Sequence, residues 1–129
     1  MSRADDLEAL TTLLADYCVR MDHGEADEWA DLFTADGQFF AFGRSFDGHE
    51  GLHELARTSP RGVHIGSQPV FEISGDDATA RQNFIFVYAE GHTMRIGFYD
   101  DVCVRTDTGW RFRTRRCTFA TADGPSDRP

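Results

Sequence analysis

The sequence predicts an α+β fold in which early helices lie on one face of a curled antiparallel sheet made from the later part of the chain. Two observations carry this. Before residue 60, apolar residues recur at three- and four-residue steps, the period of a helix with one buried face. From Val63 onward the texture changes to strand-like runs separated by Gly- and Asp-containing turns. The length of 129 residues suits a single domain, 1–129, large enough to bury a core.

The first element is a helix from about Ala4 to Met21, with Leu7, Leu10, Leu14, Tyr17, Cys18 and Met21 on its apolar stripe. Ser2, with Asp5 three residues on, supplies an N-cap, and Gly24 a stop just past the end. A short second helix spans Glu25 to Phe33, placing Trp29 and Phe33 on one face. Asp36-Gly37 then turns the chain into a strand over GQFFAF, and HEGLHELAR reads as a third short helix. VHIG and PVFEI are strands leading to a turn at Gly75-Asp76-Asp77. Long strands follow over Ala80 to Tyr88, Thr93 to Arg105 and Trp110 to Phe119. The tail from Thr121 to Pro129 is polar, carries two prolines and a glycine, and reads as frayed.

Composition narrows the function. With 22 acidic against 13 basic residues the net charge is −9, which disfavours nucleic acid and anionic membrane surfaces as partners. Three cysteines (Cys18, Cys103, Cys117) without CxxC spacing fit neither a disulfide framework nor a zinc site, and suit a reducing cytoplasm. No apolar run is long enough to span a bilayer. Eleven phenylalanines are a heavy aromatic load, which a core, a pocket wall or a dimer interface would absorb.

No GxGxxG, GxxxxGK, GxSxG or HExxH motif is present, so any chemistry must come from scattered side chains in a cavity. Asp22 falls at the C-terminal end of the first helix, where the macrodipole disfavours a carboxylate by about 0.3–1 kcal/mol. A solvated aspartate in an interhelix turn is the ordinary alternative. His64 lies between Val63 and Ile65, so the pleat points it away from both. An imidazole whose tautomer is fixed by a carboxylate can act as acid or base; a core histidine bonded to a backbone carbonyl is the alternative. Tyr17 sits on the buried stripe, about 140° around an ideal helix from Asp22. His49 and His53, four apart, could bind metal but lack an obvious third ligand. In the last strand Arg116 shares parity with Trp110 and Phe112, whereas Arg111, Arg113 and Arg115 fall on the opposite, outward side; a bulge would reverse that assignment.

Three stretches resemble the SnoaL-like family. YCVRMDHGEADEWADLFTADGQF resembles its opening, HIGSQPVFEISGDDATAR its central His strand and hairpin, and GFYDDVCVRTDTGWRFRTRR its closing hairpin, together covering about Leu7 to Thr118. The resemblance implies a cone-shaped fold in which sheet and helices enclose an apolar pocket, as in scytalone dehydratase, ketosteroid isomerase, limonene epoxide hydrolase and polyketide cyclases. It also implies assembly through the open sheet as a homodimer or larger homo-oligomer.

Carried over residue by residue, the resemblance implies Asp22, His64 and Tyr17 as catalytic residues. A second pocket histidine of scytalone dehydratase falls near Tyr88 or Ala89, and its polar Ser and Asn near Gly97 and Tyr99, so scytalone itself is not the implied substrate. The pocket is expected to be lined by Trp29, Tyr88, Met94, Tyr99 and Arg116. An epoxide hydrolase would need an Asp–Arg–Asp set, for which Arg95 with Asp100 or Asp101 is a poor candidate. The implied function is a dehydratase needing no cofactor or metal and acting on a small, mostly apolar oxygenated ring or polyketide-like compound. An isomerase or aldol-type cyclase, or a non-catalytic binding protein, are the alternatives.

Overall fold

The computed structural model describes residues 2–129. Helix α1 (Arg3–Asp22) opens at a complete capping box, in which the Ser2 hydroxyl accepts from the Asp5 N–H and the Asp5 carboxylate accepts from the Ser2 backbone. Its buried face carries Leu10, Leu13, Leu14, Tyr17 and Cys18, and also Asp6. That acid is held by the Arg105 guanidinium at 2.7 and 3.0 Å and by the Trp110 indole N–H at 3.1 Å. The Arg105 hydrogen bonds and the indole lower its pKa to about 2, so it sits in the packed face as a carboxylate.

Helix α2 (Ala26–Ala30) is shorter than the sequence suggests, because Leu32 already accepts a backbone bond from Phe112 and Phe33 begins a strand. Strand β1 (Phe33–Ala41) and β2 (Arg44–Asp47) form a hairpin, and α3 (Gly48–Thr58) follows. The hairpin turns on Phe42 and Gly43, both with positive φ. Left-handed backbone suits Gly43 but strains Phe42, at a cost of order 1 kcal/mol, and it swings the Phe42 ring onto Phe119 at 5.4 Å.

The remaining strands are β3 (Gly62–Gly66), β4 (Val70–Ser74), β5 (Asp77–Tyr88), β6 (Met94–Thr106), β7 (Gly109–Thr121) and β8 (Gly124–Ser126). They form one sheet in the order β2-β1-β7-β6-β5-β3. β4 continues along the β5 edge beyond β3, and β8 pairs with the end of β7. Two expectations are corrected here. The sheet is mixed rather than wholly antiparallel, because β1 runs parallel to β7. The tail is not frayed at its start, because Gly124 to Ser126 hydrogen-bonds as a strand.

Along β5 the pleat buries Ala78, Ala80, Gln82, Phe84 and Phe86, and along β6 Gly97, Tyr99, Asp101 and Cys103. Gly97 lets the sheet curl tightly, since a Cβ there would lie 2.2 Å from the Thr118 carbonyl and 2.8 Å from the Phe84 ring. In β7 the alternation breaks. Cys103 pairs with Phe112 but Val102 with Thr114, so Arg113 is an extra residue. Trp110 and Phe112 point inward before this bulge, and Arg115, Cys117 and Phe119 after it.

The opposite face of the sheet is apolar and open. Ile65, Ile85 and Ile96 line up across β3, β5 and β6, with Val63, Val87 and Met94 in the next row. Of these only Val87 is part-buried; the other five are exposed.

Candidate active site

Asp22, the last residue of α1, reaches across to β3 and holds His64 twice. One carboxylate oxygen accepts the His64 backbone N–H at 2.8 Å; the other lies 2.6 Å from the ring Nδ1. These two bonds give a carboxylate at a helix C-terminus the partners that its position denies it. Both side chains are close to buried, at 11% and 13% exposure. With Nδ1 committed to a carboxylate, the neutral form of the ring is the tautomer with its proton on Nδ1 and the lone pair on Nε2. Val63 and Ile65 point outward, so the pleat turns His64 to the inside, where its ring meets Phe86 at 4.5 Å and Tyr17 at 6.1 Å.

The imidazole faces a cavity of about 350 Å³, within the range of small-molecule sites. Its walls are mostly aromatic: Phe39, Phe42 and Phe46 from the first hairpin, Phe84 and Phe86 from β5, and Phe119 from β7. The polar groups on it are few, chiefly His64, the hydroxyls of Tyr17 and Tyr99, the Cys117 thiol, Arg95 and Arg44. Burial raises the pKa of both phenols and pushes the Cys117 thiol up to about 12, so all three hold their protons at neutral pH.

Beneath the tyrosines lies Arg115, fully buried. Its Nε and Nη2 donate to Asp101 at 2.8 and 3.3 Å, and Nη2 also to the Gln82 side-chain carbonyl at 2.9 Å. The guanidinium carbon sits 4.1 Å from the Tyr17 ring centre and 3.7 Å from that of Tyr99, and Nη1 finds no oxygen partner. One buried cation therefore joins the two cavity phenols into a single floor. Burial pushes Asp101 up to about 6 against the pull of Arg115, which leaves it a carboxylate at neutral pH. Burial is the largest influence on Arg115 and opposes its charge, but the Asp101 carboxylate and the two phenols together outweigh it, and its pKa is raised.

The structure brings Asp22, His64, Tyr17 and Tyr99 to one place. It separates others that the sequence grouped with them. Trp29 is wholly buried behind the cavity, packed 5.4 Å from Tyr17 and 5.2 Å from Phe33, and forms no part of the wall. Met94 stands exposed on the outer face of β6. Arg116 also points outward, over Phe40 at 4.5 Å, because the extra residue Arg113 exchanges its face with that of Arg115. Tyr88 is half-buried beside the cavity, 5.0 Å from Phe86, and carries the Arg95 guanidinium 5.0 Å over its ring. His49 and His53 meet single carboxylates, Asp31 at 3.5 Å and Asp27 at 3.2 Å. The sequence reading missed Arg115, Gln82 and Asp101 as one cluster. The only available signal was the run of four arginines in β7, whose parity cannot be read without the bulge.

Residues 2–116 match the family model for a SnoaL-like domain. No curated protein gives a sequence match. Among solved structures the chain is similar to Rv3472, a Mycobacterium tuberculosis protein of unknown function, at 28% identity and a TM-score of 0.85, covering 91% of this chain and 77% of that one. It is similar to an NTF2-like protein with a cystatin-like fold from Novosphingobium aromaticivorans, at 22% identity, TM-score 0.84, and 94% and 87% coverage. A hexachlorocyclohexane dehydrochlorinase, LinA type 2, superposes at 19% identity with a TM-score of 0.80, covering 92% of this chain and 88% of that chain.

Removing one member of a buried ion pair strands the other charge, so Arg115→Met should cost about 3–5 kcal/mol in denaturant unfolding. The double substitution Arg115→Met with Asp101→Leu should regain most of that loss. A single variant within about 1 kcal/mol of the parent would contradict a floor held together by this cation.

Proposed function

The chain belongs to the SnoaL-like domain family, and on that premise we propose that it is a cofactor-independent dehydratase acting by Asp–His general acid–base catalysis. Its substrate would be a small, mostly apolar, oxygenated ring or polyketide-like compound. One observation carries this reading: the 2.6 Å contact of Asp22 with Nδ1 of His64, on the wall of an apolar cavity that the same ring faces.

In the proposed reaction Nε2 of His64 removes a proton from the carbon alpha to a substrate carbonyl. Asp22 accepts from Nδ1–H throughout and stabilises the imidazolium that forms. The negative charge moving onto the carbonyl oxygen receives a hydrogen bond from the Tyr17 or Tyr99 hydroxyl, each still protonated. Nε2–H then returns the proton to the β-hydroxyl, the C–O bond breaks, and water leaves as the double bond forms. Proton balance closes on the one imidazole. The aromatic walls keep solvent out and strengthen each of these electrostatic contacts. The dehydrochlorinase among the structural relatives is named for an elimination too, the loss of HCl in place of water.

We also propose that the exposed rows Ile65–Ile85–Ile96 and Val63–Val87–Met94 pair with a second copy of the chain. Ile96→Asp should then turn a dimer into a monomer in sedimentation velocity; a parent that sediments as a monomer sinks the idea.

The activity test uses β-hydroxy ketones and polyketide-like phenols in deuterated buffer, followed by mass spectrometry. His64→Ala should lose exchange and water release by about 10²–10⁴-fold, and Asp22→Asn should lower turnover with the fold retained. Equal turnover in parent and His64→Ala defeats the mechanism. Ligands that bind both proteins equally without conversion would instead identify a binding protein. Product without net water loss would identify an isomerase or cyclase.

A further inference from the structure

Arg95 and Arg44 have no part in the proton transfers, yet both line the cavity. Arg95 comes from the inward face of β6, opposite Phe86 on β5. Its guanidinium carbon lies 5.0 Å from the ring centre of Tyr88, 5.7 Å from Phe42 and 5.9 Å from Phe119. It is half-buried among these rings, and no hydrogen bond or ion pair joins it to any described residue. Arg44, at the start of β2, lies 4.4 Å over the Phe46 ring; it has no carboxylate partner but, unlike Arg95, is exposed to solvent. Asp127 borders a shallow neighbouring cleft with Arg44, but its ion pair is with Arg128 at 3.8 Å.

The contrast with the rest of the chain gives this meaning. Acidic residues outnumber basic ones 22 to 13, so partners for arginine are plentiful. Arg20, Arg57, Arg81, Arg105, Arg115 and Arg128 each have one. Other unpaired arginines, such as Arg3, Arg61 and Arg113, lie in open solvent, which satisfies them. Arg95 is walled by aromatic carbon, where a cation loses hydration without gaining a counter-charge. Its rings supply cation–π attraction but leave all its N–H donors free for an acceptor. Its field also reaches into the cavity, where with Arg115 it opposes the burial-driven rise of the Cys117 thiol.

We propose that Arg95, assisted by Arg44, is an anion subsite, and that the substrate is a ring compound carrying a carboxylate or another oxyanion directed at these two guanidinium groups. This rests on reading the cavity as a substrate site, though not on the chemistry assigned to His64. In a protein of net charge −9 an anionic ligand is repelled at long range, so its binding needs such a local pair of cations. The planar fork of arginine also restricts the direction from which an oxyanion can be held in the cavity.

The test is direct binding by calorimetry of three probes of one ring size: 2-naphthoate, 2-naphthyl phosphate and the neutral methyl 2-naphthoate. The parent should bind at least one anion about tenfold or more tightly than the ester. Whichever anion binds tighter identifies the acid the subsite prefers. Arg95→Met should bring the anion-to-ester ratio to about one while ester affinity holds, the ester reporting an intact cavity; Arg44→Met should reduce the ratio less. His64→Ala should leave the ratio unchanged, which separates this proposal from the dyad. An ester that binds the parent as tightly as both anions, or a ratio that survives Arg95→Met, overturns it.

Discussion

The cavity depends on one carboxylate placed where a helix disfavours it. Asp22 ends α1 and accepts both the backbone and the ring N–H of His64, so the same side chain docks a helix on the sheet edge and orients an imidazole. The cost of a negative charge at a helix C-terminus, about 0.3–1 kcal/mol, is smaller than the gain from two hydrogen bonds to a charged acceptor, about 1.5–3 kcal/mol each. The arrangement is therefore stable in a direction that also fixes chemistry. A position unfavourable for the helix alone becomes favourable once β3 is present.

The floor follows a similar logic. A guanidinium with no solvent exposure is tolerated because Asp101 and Gln82 take Nε and Nη2 and two tyrosine rings pack against it. Tyr17 and Tyr99 are held by this cation from below and by the Phe39 and Phe84 rings at their sides, at 6.3 and 4.5 Å. Hydroxyls on rings so fixed can meet a developing negative charge with little rearrangement, the condition under which such donors help most. Above them the polar groups are few, chiefly His64, Cys117, the two arginines and the hydroxyl residues Thr58 and Ser59, which leaves few ways for a polar ring compound to lie.

Much of the fold was legible because local chemistry and tertiary packing agree. The Ser2–Asp5 cap, the stripe through Leu10, Leu14 and Tyr17, and the alternation of β5 all state the same thing at each level. The inward turn of His64 also followed from its neighbours Val63 and Ile65. What could not be read depended on long-range pairing. The bulge at Arg113 is set by the register of β6 against β7, and it exchanges the faces of Arg115 and Arg116. Trp29 is expected at the wall, yet a second layer of rings stands between it and the cavity, which its place in a short helix does not reveal. The parallel pairing of β1 with β7 and the short strand β8 likewise leave no local mark, since each is created by a partner distant in sequence or by a hairpin of polar residues.

The central claim is that Asp22 holds the His64 proton on Nδ1 and leaves Nε2 as the base facing the cavity. Nitrogen-15 NMR of histidine-labelled protein reads this directly, because protonated and bare ring nitrogens have distinct shifts and couplings. The neutral His64 ring should show a proton on Nδ1 and a bare Nε2, and this preference should disappear in Asp22→Ala. A neutral ring protonated on Nε2 in the parent would contradict the account, since its basic nitrogen would then face the carboxylate and not the substrate.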